Sequence, residues 1–300
     1  MLRETEGAFV EVVERSAHAE RVAMEAWADL LFVSRAPRFD AMFDPRKRWR
    51  RAAEALSALG VASALGKRAR VEAAVSSRAP RVRSSVVGVA VPRDVRVVPP
   101  SLELGLASER DARLAVGRAV ATTWTHPALP PLVARVEHGT VGQGLGALFA
   151  HLLCEPRATE LSGEGGRALR ERALLLELFE LRTEAAAVVA SESVASHAFA
   201  EAAEHALREA WRVEVPAPIA ACACLADRGA PRRLRASRAA APLFSAMRER
   251  YDEDWWRNPR AAEPLRAACE RGPLLTVESW AEELGLGRGG LASRYAELLR

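Results

Sequence analysis

"HGTVGQGLGALFAHLLCEP", residues 138–156, sets glycines at 139, 142, 144 and 146 among the apolar residues Leu145, Leu148, Phe149 and Leu152. Those four apolar positions follow the i, i+3, i+4, i+7 spacing of one helix face. The glycines make neither a GxGxxG fingerprint nor a P-loop, since no GK[ST] follows and no clear buried strand precedes. The stretch therefore reads as a tight entry into a buried helix, with Gln143 as its one polar side chain near the start. A buried helix needs other helices to cover it, and the rest of the chain supplies them.

Working outward, helical spacing recurs over residues 4–35, 46–66, 108–125, 167–190, 192–212, 219–226 and 233–250, and in short pieces near 259–271, 276–284 and 289–299. The punctuation lies at Pro37–Pro45, at the PALPP run of 127–131, at the glycines of 162–166 and at the VPAP run of 215–218. Only residues 81–100 differ. RVRSSVVGVAVPRDVRVVPP is rich in β-branched residues and is broken by Pro92, Pro99 and Pro100, as in a short hairpin. The expected fold is mainly α, a large helical domain with one small β element near 81–100. Without repeats or low-complexity linkers, residues 1–300 read as a single domain, with N-terminal helices over 1–75.

The chain of 300 residues is 49% hydrophobic, enough for a sizeable core. No apolar run reaches the length of a membrane span. Charges over MLRETEGAFVEVVERSAH stand where a signal peptide would be apolar, which makes a cytoplasmic location the expectation. Cys154, Cys222, Cys224 and Cys269 suggest no disulfide framework and read as small buried residues. The net charge of +4 and pI near 9.2 invite a nucleic-acid reading. Yet of 43 basic residues only Lys47 and Lys67 are lysine, an Arg- and Ala-rich usage typical of a GC-rich genome. The clusters RKRWRR (46–51), KRAR (67–70) and RRLRASR (232–238) are interleaved with apolar residues and read as solvated helix faces.

Motifs that carry chemistry are scarce. There is no GxSxG nucleophile elbow, no HExxH and no HxxEH. A zincin needs two histidines one helical turn apart and a carboxylate to deprotonate the zinc-bound water. One stretch has ligand-type residues on a single helix face: His197, Glu201, Glu204 and His205 in SHAFAEAAEHALREAW (196–211). They would form a metal site or, more simply, a polar face in which Glu204 pairs with Arg208.

YDEDWWRNPRAAEPLRAACERG (251–272) resembles the C-terminal part of the oligoendopeptidase-type (M3-like) zinc metallopeptidase family, with its "G-E-D-W-W-x-N-P-x-A-G-x-x-L" run. RRLRASRAAAPLFSAMRERY (232–251) resembles the helix before that run, and Glu282-Glu283-Leu284-Gly285 resembles the closing "E-L-G". VGQGLGALFAHLLCEP (141–156) is similar to "V-T-E-G-x-A-x-L-F-x-H-L-L-x-D-P", the family helix that carries the third zinc ligand. The resemblance runs in order over residues 80–290 and implies a zincin-type helical domain. It also implies a lost centre. The glutamate ligand falls on Gln143, and HExxH falls on Gly117-Arg118-Ala119-Val120-Ala121. Both histidines and the general base are thereby absent, and the base becomes a cation. The family's oxyanion-stabilising tyrosine or histidine falls on Arg228, Gly229 or Arg233.

The reading that follows is a catalytically inactive metallopeptidase-like scaffold with no cofactor and no metal. Its cleft, lined by Arg118, His138, Gln143, Arg233 and Arg235, would favour an acidic segment of a peptide or protein partner. Two alternatives stand beside it. One is a residual hydrolase using the His197/Glu201/Glu204/His205 face. The other is a DNA-binding regulator using TVESWAEELGLGRGGLASRYAELLR (276–300) as a helix-turn-helix, with Arg288, Arg294 and Arg300 meeting phosphate.

Overall fold

A computed structural model of the protein describes residues 1–44, 46–72, 83–100, 105–135, 140–158, 163–193, 198–225, 229–284 and 291–299. In chain order the elements are α1 (Leu2–Glu20), α2 (Trp27–Arg35), α3 (Arg48–Glu54), α4 (Val61–Arg68), β1 (Ala69–Val71), β2 (Ser85–Ala90) and β3 (Asp94–Val98). They continue with α5 (Leu106–Trp124), α6 (Pro131–Arg135), α7 (Thr140–His151), α8 (Gly163–Ser191), α9 (Phe199–Trp211) and α10 (Ala217–Leu225). The last are α11 (Ala230–Tyr251), α12 (Ala262–Arg271), α13 (Val277–Glu283) and α14 (Leu291–Leu298). The fold is mainly α, with one small sheet.

The sheet departs from a simple hairpin. β2 and β3 pair antiparallel, and β1 adds a parallel strand on the far side of β3, giving the order β1-β3-β2. Three residues that continue straight from α4 carry too little pattern to read as a strand. The long helical stretch at the N-terminus is also two helices. Arg21 takes a left-handed conformation, and its N–H and that of Val22 bond back to His18 O and Ala17 O. This is the Schellman pattern usually given to glycine. Asp29 then starts α2 by accepting from the N–H groups of Glu25 and Ala26.

Two cores meet along α11. One gathers α5, α7, the sheet, α12, Trp255, Trp256 and Trp280. The other surrounds α8 with residues of α1, α2, α9, α10 and α14. α8 begins at Gly163 within the glycine-rich stretch read as a turn, and it buries residues on every side. It therefore carries charge into the interior, where each charge needs partners. Arg172 donates to Ser16 O at 2.7 Å, Val33 O at 3.3 Å and Glu20 at 2.9 Å, tying α8 to α1 and α2. Arg182 donates to Leu2 O, Thr5 Oγ1, Glu209 O and Ala210 O, tying the start of α1 to the end of α9. Burial lowers both guanidinium pKa values to about 10.

Candidate functional site

α5 and α7 cross with their backbones in contact. A Cβ built on Gly117 would lie 2.5 Å from Gly146 Cα and N, and one built on Gly146 would lie 2.7 Å from Leu114 O. The helices run antiparallel: Gly117 meets Gly146, while Arg110 near the start of α5 and His151 at the end of α7 both bond Glu177. Gly117 therefore faces the middle of α7, and Ala121, one turn further along α5, lies towards the end of α7 that carries Gln143. Gly117 and Ala121 are buried and Gln143 is half-buried. The sheet lies against the same part of α5, where Gly88 of β2 meets Thr122.

The residues expected to line one groove are spread over several contacts. Arg118 donates to Ser84 O at 3.3 Å, at the start of β2. Ser84 in turn donates its N–H (3.0 and 3.1 Å) and its hydroxyl to Asp111. Burial raises the Asp111 pKa despite these bonds. Arg233 reaches Glu184 at 2.7 Å and shares it with Arg83 at 3.3 Å. Burial raises the Glu184 pKa as well, against both cations. Arg235 makes a bidentate pair with Glu278 at the surface, at 2.7 and 2.9 Å. His138 and Arg228 lie outside the described residues.

The chemistry-bearing cluster that the sequence did not announce sits at the other end of α7. His151, Cys154 and Glu177 offer ligand atoms within 4.8 Å of one another, all buried. His151 Nδ1 is 2.8 Å from Glu177 Oε1, Tyr295 Oη donates to the same oxygen at 3.0 Å, and Arg110 donates to Oε2 at 3.1 Å. Arg294 Nε donates to His151 Nε2 at 3.4 Å, which leaves Nδ1 as the protonated nitrogen facing Glu177. Burial would raise the Glu177 carboxyl, but His151 and Arg110 outweigh it and hold the pKa at about 2. The Cys154 thiol is pushed up by burial and by the Glu177 charge.

A metal fits this donor set poorly. The imidazole and carboxylate are already bonded to each other, and a guanidinium lies against each. Cys154 is equally unsuited to nucleophilic chemistry, which needs a lowered thiol pKa. The cluster acts as a buried tie between α5, α7, α8 and α14. Its sequence signal is Glu177 among the apolar residues of ALLLELFEL (173–181).

The other expected sites fare as follows. Glu201 and His205 are exposed and Glu204 half-buried on α9, while His197 lies outside the described residues. Arg208 reaches His205 Nδ1 at 3.1 Å and Glu214 at 3.7 Å. Arg294, offered as a phosphate contact, is instead buried, paired with Glu155 and Glu297 and stacked over Phe244. Arg288 and Arg300 are not among the described residues. Thr276 does cap α13, accepting from Ser279 N at 3.1 Å. Cys222 is exposed, unlike the other three cysteines.

Two cavities stand out. One of about 640 Å³ lies between α4, the β2–β3 turn, the end of α5 and α12, and includes Lys67 and Arg68 of the KRAR cluster. The other, of about 400 Å³, lies beside Cys154 and Arg294 and is lined by paired charges such as Arg157–Glu253 and Arg248–Glu297. Neither is lined by Gly117, Ala121 or Gln143.

The fold is thus that of a mainly-α protein with a small mixed sheet against a close-packed helix pair, and none of the described helices is long and apolar enough to cross a membrane. No family model matches the sequence, and no curated protein does. Solved structures share the fold. One is described as "The Structure of CHT", with a TM-score of 0.56 and 14% identity over 98% of this chain and 66% of that one. Another is described as "BsuCP Crystal Structure", with a TM-score of 0.55 and 13% identity over the same shares. The chain thus spans just under two thirds of the length of these relatives in fold.

Proposed function

We propose that the chain is a catalytically inactive, metallopeptidase-like scaffold that acts by binding a peptide or protein partner. The observation that carries this reading is the α5–α7 crossing. The resemblance aligns these two helices with the family's zinc-binding pair, and they pack on each other at Gly117, the first of the aligned positions. Gly117, where the first zinc histidine would stand, has Gly146 backbone 2.5 Å from the place of its Cβ, so an imidazole has no room there. Ala121 and Gln143 offer no histidine or carboxylate. Arg118, in the place of the general base, is a cation that donates to Ser84 O. Without zinc nothing brings a bound water to a pKa of ~7 or polarises a scissile carbonyl.

Metal analysis of the purified chain, with cleavage assays on a quenched peptide library, tests the inactivity. The expected result is substoichiometric zinc and no chelator-sensitive cleavage. Stoichiometric zinc with chelator-sensitive cleavage would overturn it. Binding of uncut peptides from the same library, read by fluorescence anisotropy, tests the retained role. Absence of any saturable binder removes that part of the reading.

A further inference from the structure

The 640 Å³ cavity holds unspent positive charge. Lys67 enters from α4, Arg93 from the β2–β3 turn and Arg266 from α12. Among the described residues none of the three has a carboxylate within ion-pair distance. A fourth cation, Arg68, is already committed: its Nη1 donates to Thr123 O at 2.8 Å, in the last turn of α5. That bond offsets the partial negative charge a helix C-terminus would turn towards an anion. Among the described residues Glu270 is the only acid in the lining. With Arg68 still charged, four cations against one carboxylate among the described lining residues leave a formal local charge of +3, and three of the four have no ion pair there.

The position of Arg266 is built rather than accidental. Its guanidinium lies over the Trp124 ring at 5.3 Å, and Nη2 extends towards Gly60, 3.7 Å from where a Cβ would stand. Gly60 has φ +77°, so a side chain there is disfavoured and the path of the arginine stays open. An arginine held over an indole keeps N–H donors for a ligand. Pro92 and Pro127 supply apolar wall.

We propose that this cavity binds a phosphorylated small molecule, with a phosphomonoester dianion held by Lys67, Arg93 and Arg266. A dianion answers the positive excess of the site, and guanidinium forks suit phosphate oxygens. The volume lies within the ~300–1,000 Å³ of small-molecule pockets and far exceeds a bare phosphate ion, so the organic body fills the remainder against the prolines. The site is independent of any zinc ancestry of α5 and α7.

Calorimetry on the full chain at low ionic strength tests it, with adenosine 5′-monophosphate as the probe beside inorganic phosphate, adenosine and succinate. The expected result is one saturable AMP site per chain, competed by inorganic phosphate at higher concentration, with no binding of adenosine. Lys67→Ala and Arg93→Ala each weaken AMP about tenfold, the scale of a lost charge-assisted bond. Both side chains are exposed, so the variants should melt as the parent does. The proposal is overturned by absence of saturable AMP binding, by variants that bind as the parent, by succinate binding as tightly as AMP, or by phosphate binding as tightly as AMP.

Discussion

Replacing Gly117 by alanine adds a single methyl group at the tightest point of the fold. That methyl would stand 2.5 Å from Gly146 Cα and N and 2.8 Å from Leu145 C, where ordinary contact begins near 3.4 Å. All three atoms are backbone, so no rotamer change relieves the clash. α5 and α7 must part by about 1 Å, and a gap of that size forfeits roughly a quarter to a half of each facing dispersion contact. Val116, Val120, Leu145, Leu148 and Phe149, buried in the same core, lose packing with them. Overpacking of this kind costs about 1–3 kcal/mol. Alanine's better helix propensity returns up to ~1 kcal/mol. The expected net is a loss of about 1–2 kcal/mol. With an unfolding entropy of ~2.1 cal/mol/K per residue, that lowers the Tm by about 2–3 °C. Gly7→Ala supplies the control. Gly7 is an exposed residue of α1 with nothing within 4 Å of its Cβ position, and there alanine should stabilise by ~0.5–1 kcal/mol. Thermal melts of the two variants should move in opposite directions. A Gly117→Ala protein as stable as the parent would refute the close crossing of α5 and α7.

Three further expectations follow from the buried charges and thiols. The Glu177 carboxyl, held at about 2 by His151 and Arg110, contributes stability that is complete above its unfolded value of 4.5 and lost as pH falls towards 2. Protonation of Asp111 and Glu184, whose pKa values burial raises, works in the opposite sense. Glu177→Gln should therefore lose about 3 kcal/mol or more at neutral pH, with the gap to the parent narrowing from pH 4.5 to 2 in circular-dichroism melts; a constant gap contradicts the assignment. Arg182→Met removes the donor that joins the start of α1 to the end of α9 and leaves the acceptors of four residues short, so urea titration should show a loss of ~2–5 kcal/mol, and a neutral result would count against the tie. Of the four free cysteines only Cys222 is exposed, while Cys154, Cys224 and Cys269 are buried with raised thiol pKa values. A thiol reagent should find one fast group in the native protein and four after denaturation; fast reaction of Cys154 would contradict its burial.

Helix periodicity made most of this architecture readable, because apolar residues at i, i+3, i+4 and i+7 need only local sequence to be seen. What was hidden depends on partners far along the chain. β1 is a strand because β3 offers a parallel edge to Ala69–Val71, not because those residues are strongly β-forming. The break between α1 and α2 falls at Arg21, an arginine doing what glycine usually does. Arg294 looked like a surface cation because Glu155 and His151, which hold it inside, lie about 140 residues earlier. Arg233 and Arg235 also pair with carboxylates distant in sequence, on α8 and α13, although Arg235 stays at the surface. Gly117 and Gly146 were visible as glycines, but their meeting at one crossing is a property of the packed pair.

On the metallopeptidase-like reading, that crossing also separates two ways of losing a metal site. A centre that loses only its ligands keeps its cage, and restoring the side chains restores binding. Zinc bonded at about 2.0–2.2 Å to imidazole and carboxylate needs the supporting helices held apart by the length of those side chains. Here α5 and α7 touch backbone to backbone at Gly117, so on the metallopeptidase-like reading the cage volume is gone as well. The combined variant Gly117→His, Ala121→His, Gln143→Glu should then bind no stoichiometric zinc. It should also melt well below the parent, because the new imidazole at 117 meets Gly146 backbone. A folded triple variant that takes up one zinc per chain and is stabilised by it would refute the lost cage. On that reading the site would have lost side chains only, with the helix pair left as it was.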